Sequence, residues 1–183
     1  IFNFTPALQT YYDLFEQIDD YRTDDLKSTD VVLDIGANIG AFTVLAAKKV
    51  SQVVAVEPLF WRDLDSNIKL NKLNNVVSLP YALGRTSTME IAFCEKKEQV
   101  QCIDLPTIKK KLGVKPTFLK TDCEGGEWSL TPDDFDGIRA VEAEVHNFGG
   151  EDPMEFVYML EQLGFKCNYS WTKEKQLMVS ARR

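Results

Sequence analysis

Two short stretches of this chain concentrate the residue types that bind and transform small molecules. The first is Val31 to Thr43, VVLDIGANIGAFT. An apolar run from Val31 to Ile35 carries Asp34 near its end. Gly36, Ala37, Asn38 and Gly40 follow, and Phe42, Thr43, Val44, Leu45, Ala46 and Ala47 then read as helix. Strand, glycine-rich turn and helix form the first half of a nucleotide-binding βαβ unit. Gly36 and Gly40 let the backbone turn tightly and let a ligand lie against it, because neither carries a Cβ. A dinucleotide site wants G-x-G-x-x-G, whose middle glycine makes room for a pyrophosphate. Here Asn38 stands in that place, and Asp34 would repel a diphosphate while suiting a ligand that carries positive charge. A second buried strand, Val53 to Val56, ends in Glu57-Pro58. Glu57 lies 17 positions after Gly40, near the spacing at which a doubly wound fold sets an acid on ribose hydroxyls. Pro58 blocks continuation of the strand and turns the chain out over the site.

The second stretch is Phe118 to Trp128, FLKTDCEGGEW, where Lys120, Asp122, Glu124 and Glu127 place four ionisable groups within eight positions. On a strand Lys120 and Asp122 share a face, and Glu124 falls in the loop beyond the carboxyl edge, where ligands bind in open α/β sheets. Gly125-Gly126 lets that loop fold sharply. A surface salt-bridge cluster would need no function. Lys and Asp carried inward on an apolar strand must have their charges satisfied, however, which favours a purpose. His146, the single histidine, follows the fifth strand near the same edge. Asp122, Glu124 and His146 are therefore the candidate proton acceptors.

The elements that must position these groups alternate. Thr5 and Pro6 open an N-terminal helix over residues 5–20, with Tyr11, Leu14, Phe15 and Ile18 on one stripe. Tyr11, Tyr12 and Tyr21 either line a pocket or pack. A helix from Arg62 to Lys72 precedes a third strand, Val76 to Leu79, and the loop after it offers Ala82 and Leu83 for apolar contact with a base. Met89 to Phe93 and Gln99 to Ile103 suggest a hairpin or an edge addition. Asp104 caps a short helix that ends at Gly113. Strand four is Phe118 to Asp122 and strand five Ala140 to Val145. Asp152-Pro153 opens a helix that Gly164 stops, and Phe165 to Ser170 and Gln176 to Ala181 pair as an antiparallel hairpin. The sum is a seven-stranded, mostly parallel sheet covered on both faces. One domain spans residues 1–183, with 1–28 as a helical extension.

Composition narrows the classes. The 183 residues hold 21 basic and 28 acidic side chains, a net charge of −7. An acidic chain whose longest basic cluster is Lys109 to Lys111, with no more than pairs such as Lys96-Lys97 besides, lacks the electrostatic footprint of a nucleic-acid binder, so nucleic acid is not expected as a partner. No apolar run approaches the roughly 18 residues of a membrane span. The opening at Ile1, without a charged-then-apolar leader, reads as a trimmed start with no signal peptide. Cys94, Cys102, Cys123 and Cys167 include no C-x-x-C pair, which suggests reduced thiols in a cytoplasmic protein.

The Val31–Thr43 stretch resembles motif I of the class I S-adenosylmethionine (SAM) methyltransferases, whose ligand bears a sulfonium and an ammonium. DIGANIGAF, the Glu57-Pro58 pair, YALG near Leu83, CIDLP around Asp104, LKTDCEGGEW and the EVH of Glu144 to His146 come in the order seen in the FkbM family of these enzymes. This resemblance covers about residues 30 to 181; Gly126 stands where Ala is common, and the first 30 residues match nothing nameable. It implies a Rossmann-like class I methyltransferase fold, SAM as cofactor, and O-methylation of a sugar or other small-molecule hydroxyl. Asp34, Gly36, Ala37, Asn38 and Gly40 would hold the methionine end, Glu57 and Pro58 the ribose, and Ala82 and Leu83 the adenine. No metal is assigned, although Asp122, Glu124 and Glu144 could share a divalent ion. Two rivals remain. VLDIGANIGAFT, AVEP and NIKLNKLNNV also resemble tRNA guanine-N1 methyltransferases, against which stand the acidic balance and the lack of an Asn-Pro-Pro-like turn. A SAM-binding domain without catalysis is the other.

Overall fold

The computed structural model describes residues 21–93, 96–173 and 175–183; the helix expected over 5–20, with Tyr11 and Tyr12, lies outside them. The described elements alternate as the hydrophobic pattern predicts: β1 (Val31–Ile35), α1 (Ala41–Ala47), β2 (Gln52–Val56), α2 (Trp61–Leu70), β3 (Val76–Leu79), β4 (Ala82–Leu83), β5 (Thr88–Phe93), β6 (Lys96–Ile103), α3 (Leu105–Leu112), β7 (Phe118–Thr121), β8 (Ala140–Val145), α4 (Pro153–Gln162), β9 (Lys166–Trp171) and β10 (Leu177–Arg182). Two 3-10 turns, Gly126–Ser129 and Pro132–Phe135, separate β7 from β8.

Seven strands form one sheet in the order β3-β2-β1-β7-β8-β10-β9. All neighbours are parallel except β10, which runs antiparallel to both β8 and β9. The expected hairpin of β5 and β6 does form, but it joins a separate sheet, where β6 also pairs in parallel with the short β4. Ala82 and Leu83 are thus strand residues as well as loop residues, because Cys102 and Ile103 offer them a backbone ladder.

Alternation along the strands sorts side chains onto two faces. One row, Val32, Val53, Phe118 and Ala140, packs with Phe42 and Ala46 of α1 and with Tyr21. The next row, Leu33, Val54, Leu119 and Val141, faces the other way, toward Ile108 of α3, Phe156, Val157 and Leu160 of α4, and Phe135. One step further the first face turns polar. Asp34 stands opposite Lys120, Lys120 opposite Glu142, and Glu142 opposite Ser180. The chain order reverses on either side of β1, which opens a crevice at the carboxyl ends of β1 and β7.

The caps follow the sequence. The Asp104 carboxylate accepts from the Thr107 N–H at 2.8 Å, and Gly113 closes α3 in the left-handed conformation. Asp152 likewise caps α4 through the Met154 N–H. Asp104→Ala removes an exposed cap that holds the helix leading into β7, and should lower stability by about 1 kcal/mol. The check is the midpoint of urea unfolding, with an unchanged slope.

Candidate active site

The floor of the crevice is the turn after β1. Gly36 sits at φ +73°, and a Cβ there would lie 1.7 Å from the Asp122 carbonyl oxygen. Strand β7 passes too close for any side chain, so the glycine is demanded by tertiary contact as much as by the turn. The Gly36 and Ala37 N–H groups donate to the Val56 carbonyl at 2.9 and 3.1 Å, tying the turn to the end of β2. Asn38, also at positive φ (52°), donates its N–H to Glu57 Oε2 at 2.8 Å. Glu57 Oε1 accepts from the Leu59 and Phe60 N–H groups at 2.7 and 2.9 Å. Three of the about four acceptor positions of this carboxylate are therefore used to shape the site. One remains on Oε2, which suits a single ligand hydroxyl rather than a chelated pair. Burial pushes the Glu57 carboxyl above its ordinary range, against the pull of those N–H groups.

Behind the turn lies a charged knot. The Lys120 ammonium, 5 % exposed at its side chain, is 3.5 Å from Asp34 Oδ1 and 3.8 Å from Asp122 Oδ2. It donates to the Gly36 carbonyl at 2.9 Å and lies 5.3 Å above the Tyr21 ring. Burial works against its charge, yet Asp34 and Asp122 hold it above the usual lysine value. Thr43 donates its hydroxyl to the other oxygen of Asp34. The Tyr21 hydroxyl donates to Asp122 Oδ2 at 2.8 Å. Burial first, then the Asp122 carboxylate, lift that phenol well above 10, so it stays protonated.

The loop after β7 makes the other wall. Glu124 is a non-glycine residue at φ +55°, and Gly125 follows at +93°. The wholly buried Glu127 accepts from the Cys123 N–H at 2.6 Å and the Gly125 N–H at 2.9 Å, which holds this strained pair in place. His146 lies between two carboxylates: Nδ1 is 3.4 Å from Glu127 Oε1, an ionic contact without hydrogen-bond geometry, and Nε2 is 3.5 Å from Glu124 Oε2. The ring stacks on Phe148 at 5.1 Å. Burial opposes protonation of this imidazole, but Glu127, then Glu124 and Asp122, outweigh it and lift the pKa to about 9. Next along the polar face, Glu144 is pushed up to about 7, by burial first and then by Asp122 and Glu124, against the pull of His146. The Cys123 thiol, raised by burial and Glu127, stays neutral.

These walls enclose a cavity of about 940 Å³. Of the sequence-predicted residues, Gly36, Ala37, Asn38, Glu57, Pro58, Ala82, Leu83, Asp122, Glu124 and His146 line it. Asp34 and Gly40 do not. Asp34 is wholly buried beneath the turn, where it serves Lys120 and Thr43, and Gly40 opens α1 against Leu64. Sequence reasoning overlooked Leu59 and Phe60 beyond Pro58, Met89 and Ile91 on the hairpin, and Phe148, all of which line the cavity. It also gave Glu144 no catalytic part, although the alternation Lys120–Asp122 and Glu142–Glu144 on adjacent strands was there to be read. Among the described residues no group of three His, Cys, Asp or Glu side chains is arranged to hold a metal ion, and no helix is long and apolar enough to cross a membrane.

Sheet order, antiparallel last strand and crevice together define the Rossmann-like fold of the class I methyltransferases. Precorrin-6y C5,15-methyltransferase from Geobacter metallireducens shares it at a TM-score of 0.58 and 16 % identity, over 100 % of this chain and 93 % of that one. M. jannaschii TYW2, solved in complex with AdoMet (SAM), shares it at a TM-score of 0.52 and 19 % identity, over 97 % and 77 %. Among curated proteins, the chain is 42 % identical over 64 residues to the tRNA (guanine(37)-N(1))-methyltransferase Trm5b of Pyrococcus abyssi. That match takes in 34 % of this chain and only 18 % of the relative. No family model matches the chain. The expectation that nucleic acid is no partner finds no support in these likenesses.

The charge on His146 is directly measurable, because the chain has one histidine. Its imidazole resonance should titrate near pH 9 rather than near the ordinary value of about 6.5, and Glu127→Gln should bring the midpoint down. A folded-state pKa above the unfolded one stabilises fully below about 6.5, and that contribution is lost as the pH climbs through 9.

Proposed function

We propose that this chain is a SAM-dependent methyltransferase that methylates a hydroxyl on a sugar or another small molecule, as its resemblance to the FkbM family implies. The observation that carries the acceptor class is the charge of the cavity. Among the described residues its acidic lining residues are Glu57, Glu90, Asp122, Glu124, Glu144 and Glu151, and its basic ones Lys120, Arg85 and the charged His146, which lies between Glu124 and Glu127. Lys120 is held by Asp34 and Asp122, and Arg85 by Asp134 at 2.8 Å. An anionic phosphate chain would meet an excess of negative charge here, whereas a neutral hydroxyl compound and a cationic cofactor would not be repelled.

The residues fit the cofactor. The Gly36–Asn38 turn leaves room where a Cβ cannot stand, Glu57 Oε2 keeps one acceptor position for a ribose hydroxyl, and Ala82, Leu83 and Phe60 give an apolar bed for a base. SAM supplies an electrophilic methyl group on a positively charged sulfur. The protein's share is to align the acceptor, exclude water and take a proton. Lys120 and the Tyr21 hydroxyl hold Asp122 in place beside the turn, and His146, in its charged form, orients Glu124.

One observation favours a second reading. The 64-residue likeness to a tRNA guanine-N1 enzyme is supported by the VLDIGANIGAFT, AVEP and NIKLNKLNNV segments, and would make the acceptor an RNA base.

Calorimetric titration with S-adenosylhomocysteine should give micromolar binding, about −8 kcal/mol, weakened at least tenfold in Glu57→Ala. Transfer of radiolabelled methyl is then compared between methyl α-D-glucopyranoside, glycerol and catechol on one side and an unmodified tRNA transcript on the other. Label on a hydroxyl compound supports the first reading. Label on the transcript, with filter retention that fades as salt is raised, replaces it with the second.

A further inference from the structure

Among the described residues six carboxylates line the cavity, and five are already engaged. Glu57 holds three backbone N–H groups, Glu90 meets Lys97 at 3.0 Å, and Asp122 takes the Tyr21 hydroxyl and faces Lys120. Glu124 faces His146 at 3.5 Å, and Glu151 accepts the Gly149 N–H at 2.9 Å. Each of these partners occupies a carboxylate that an acceptor hydroxyl would otherwise approach. Glu144 differs. Among the described residues no donor sits on its carboxylate. The β7–β8 register, Lys120 opposite Glu142 and Thr121 opposite Ala143, carries on to set Asp122 beside Glu144 on the same face, at the carboxyl edge of the sheet. Across the other strand its neighbour is Met178, which offers no charge. A half-buried carboxylate next to a second one, without a donor and open to the cavity, is built to take up a proton.

We propose that Glu144 is the general base of methyl transfer, the group that receives the proton of the acceptor hydroxyl. This rests on the methyltransferase reading above. The acceptor oxygen gives its electron pair to the methyl carbon, the carbon–sulfur bond breaks with its pair remaining on sulfur, and the hydroxyl proton passes to a Glu144 carboxylate oxygen, from which it leaves to water. Lys120, Asp122 and Tyr21 from one side, Glu124 from the loop and His146 from just past its own strand are the charged or titratable groups that set its proton affinity. Burial, Asp122 and Glu124 raise that affinity to about 7, against the pull of His146 and Lys120, which matches a base working near neutral pH.

The test uses Glu144→Gln and Glu144→Asp in the full chain. In the protein without cofactor, the His146 resonance should show a second inflection near pH 7 in the wild type and in Glu144→Asp, but not in Glu144→Gln; its persistence in Glu144→Gln overturns the assignment of that proton. S-adenosylhomocysteine should bind the wild type and both variants within a few-fold; no binding to the wild type overturns the methyltransferase reading itself. With methyl α-D-glucopyranoside, glycerol and catechol as acceptors, wild-type kcat/KM should fall about tenfold per pH unit below 7. Glu144→Gln should lose about 100-fold or more in kcat together with that pH limb, and Glu144→Asp should recover part of both. An unimpaired rate in Glu144→Gln overturns the role of Glu144 alone. Binding without transfer to any of these hydroxyls overturns the hydroxyl-acceptor reading and the proposal with it.

Discussion

The site depends on one buried cation. Lys120 projects from a wholly buried strand into the space under the glycine-rich turn, and there it meets Asp34, Asp122 and the Gly36 carbonyl. An ammonium removed from water at such a place is tolerable only with opposite charge and hydrogen bonds around it. Those partners come from β1, from the turn and from the end of β7. The ammonium thus links the two strands between which the crevice opens. It also explains why Asp34, the acid of the glycine-rich motif, lies beneath the cavity floor rather than in it: its charge is directed to Lys120.

The polar face extends from that point. Glu142, opposite Lys120, is satisfied by the Arg22 N–H, the Ser180 hydroxyl and Arg182. Near the opposite end of the strands from the cavity, Asp30 and Asp25 bind Arg139, and Asp25 also binds Arg182. Charge is thus closely matched at the base of the sheet and becomes less matched toward the carboxyl edge. At the base the carboxylates have guanidinium partners and serve structure. At the edge, acids gather around a cavity, proton affinities shift, and reaction chemistry becomes possible.

Much of the architecture was legible in the chain itself. The strand–turn–helix of Val31 to Ala47, the caps at Asp104 and Asp152, and the antiparallel closing pair follow from periodicity and turn chemistry, which act over a few residues. The pairing of β6 with β4 was not legible, because a two-residue strand has no period of its own and exists only where another edge offers it hydrogen bonds. The acid after β2 was visible at its spacing. That its oxygens would be taken up by the N–H groups of Asn38, Leu59 and Phe60 depended on how two loops meet.

What the sequence by itself determined is the order of elements and the inventory of acids, one lysine and one histidine near the carboxyl edge, since local propensity and spacing fix which residues reach that edge. Tertiary structure decided how the charges divide among them. Lys120 is 86 positions from Asp34, and Tyr21 is 101 from Asp122; no local pattern pairs such residues. Only the sheet order brings β7 between β1 and β8, and with it decides that Asp122 is held, that His146 is clamped between Glu124 and Glu127, and that Glu144 is left without a donor among the described residues. A carboxylate's chemistry is set by what lies within a few ångströms of it, and that neighbourhood is assembled from strands far apart in the chain.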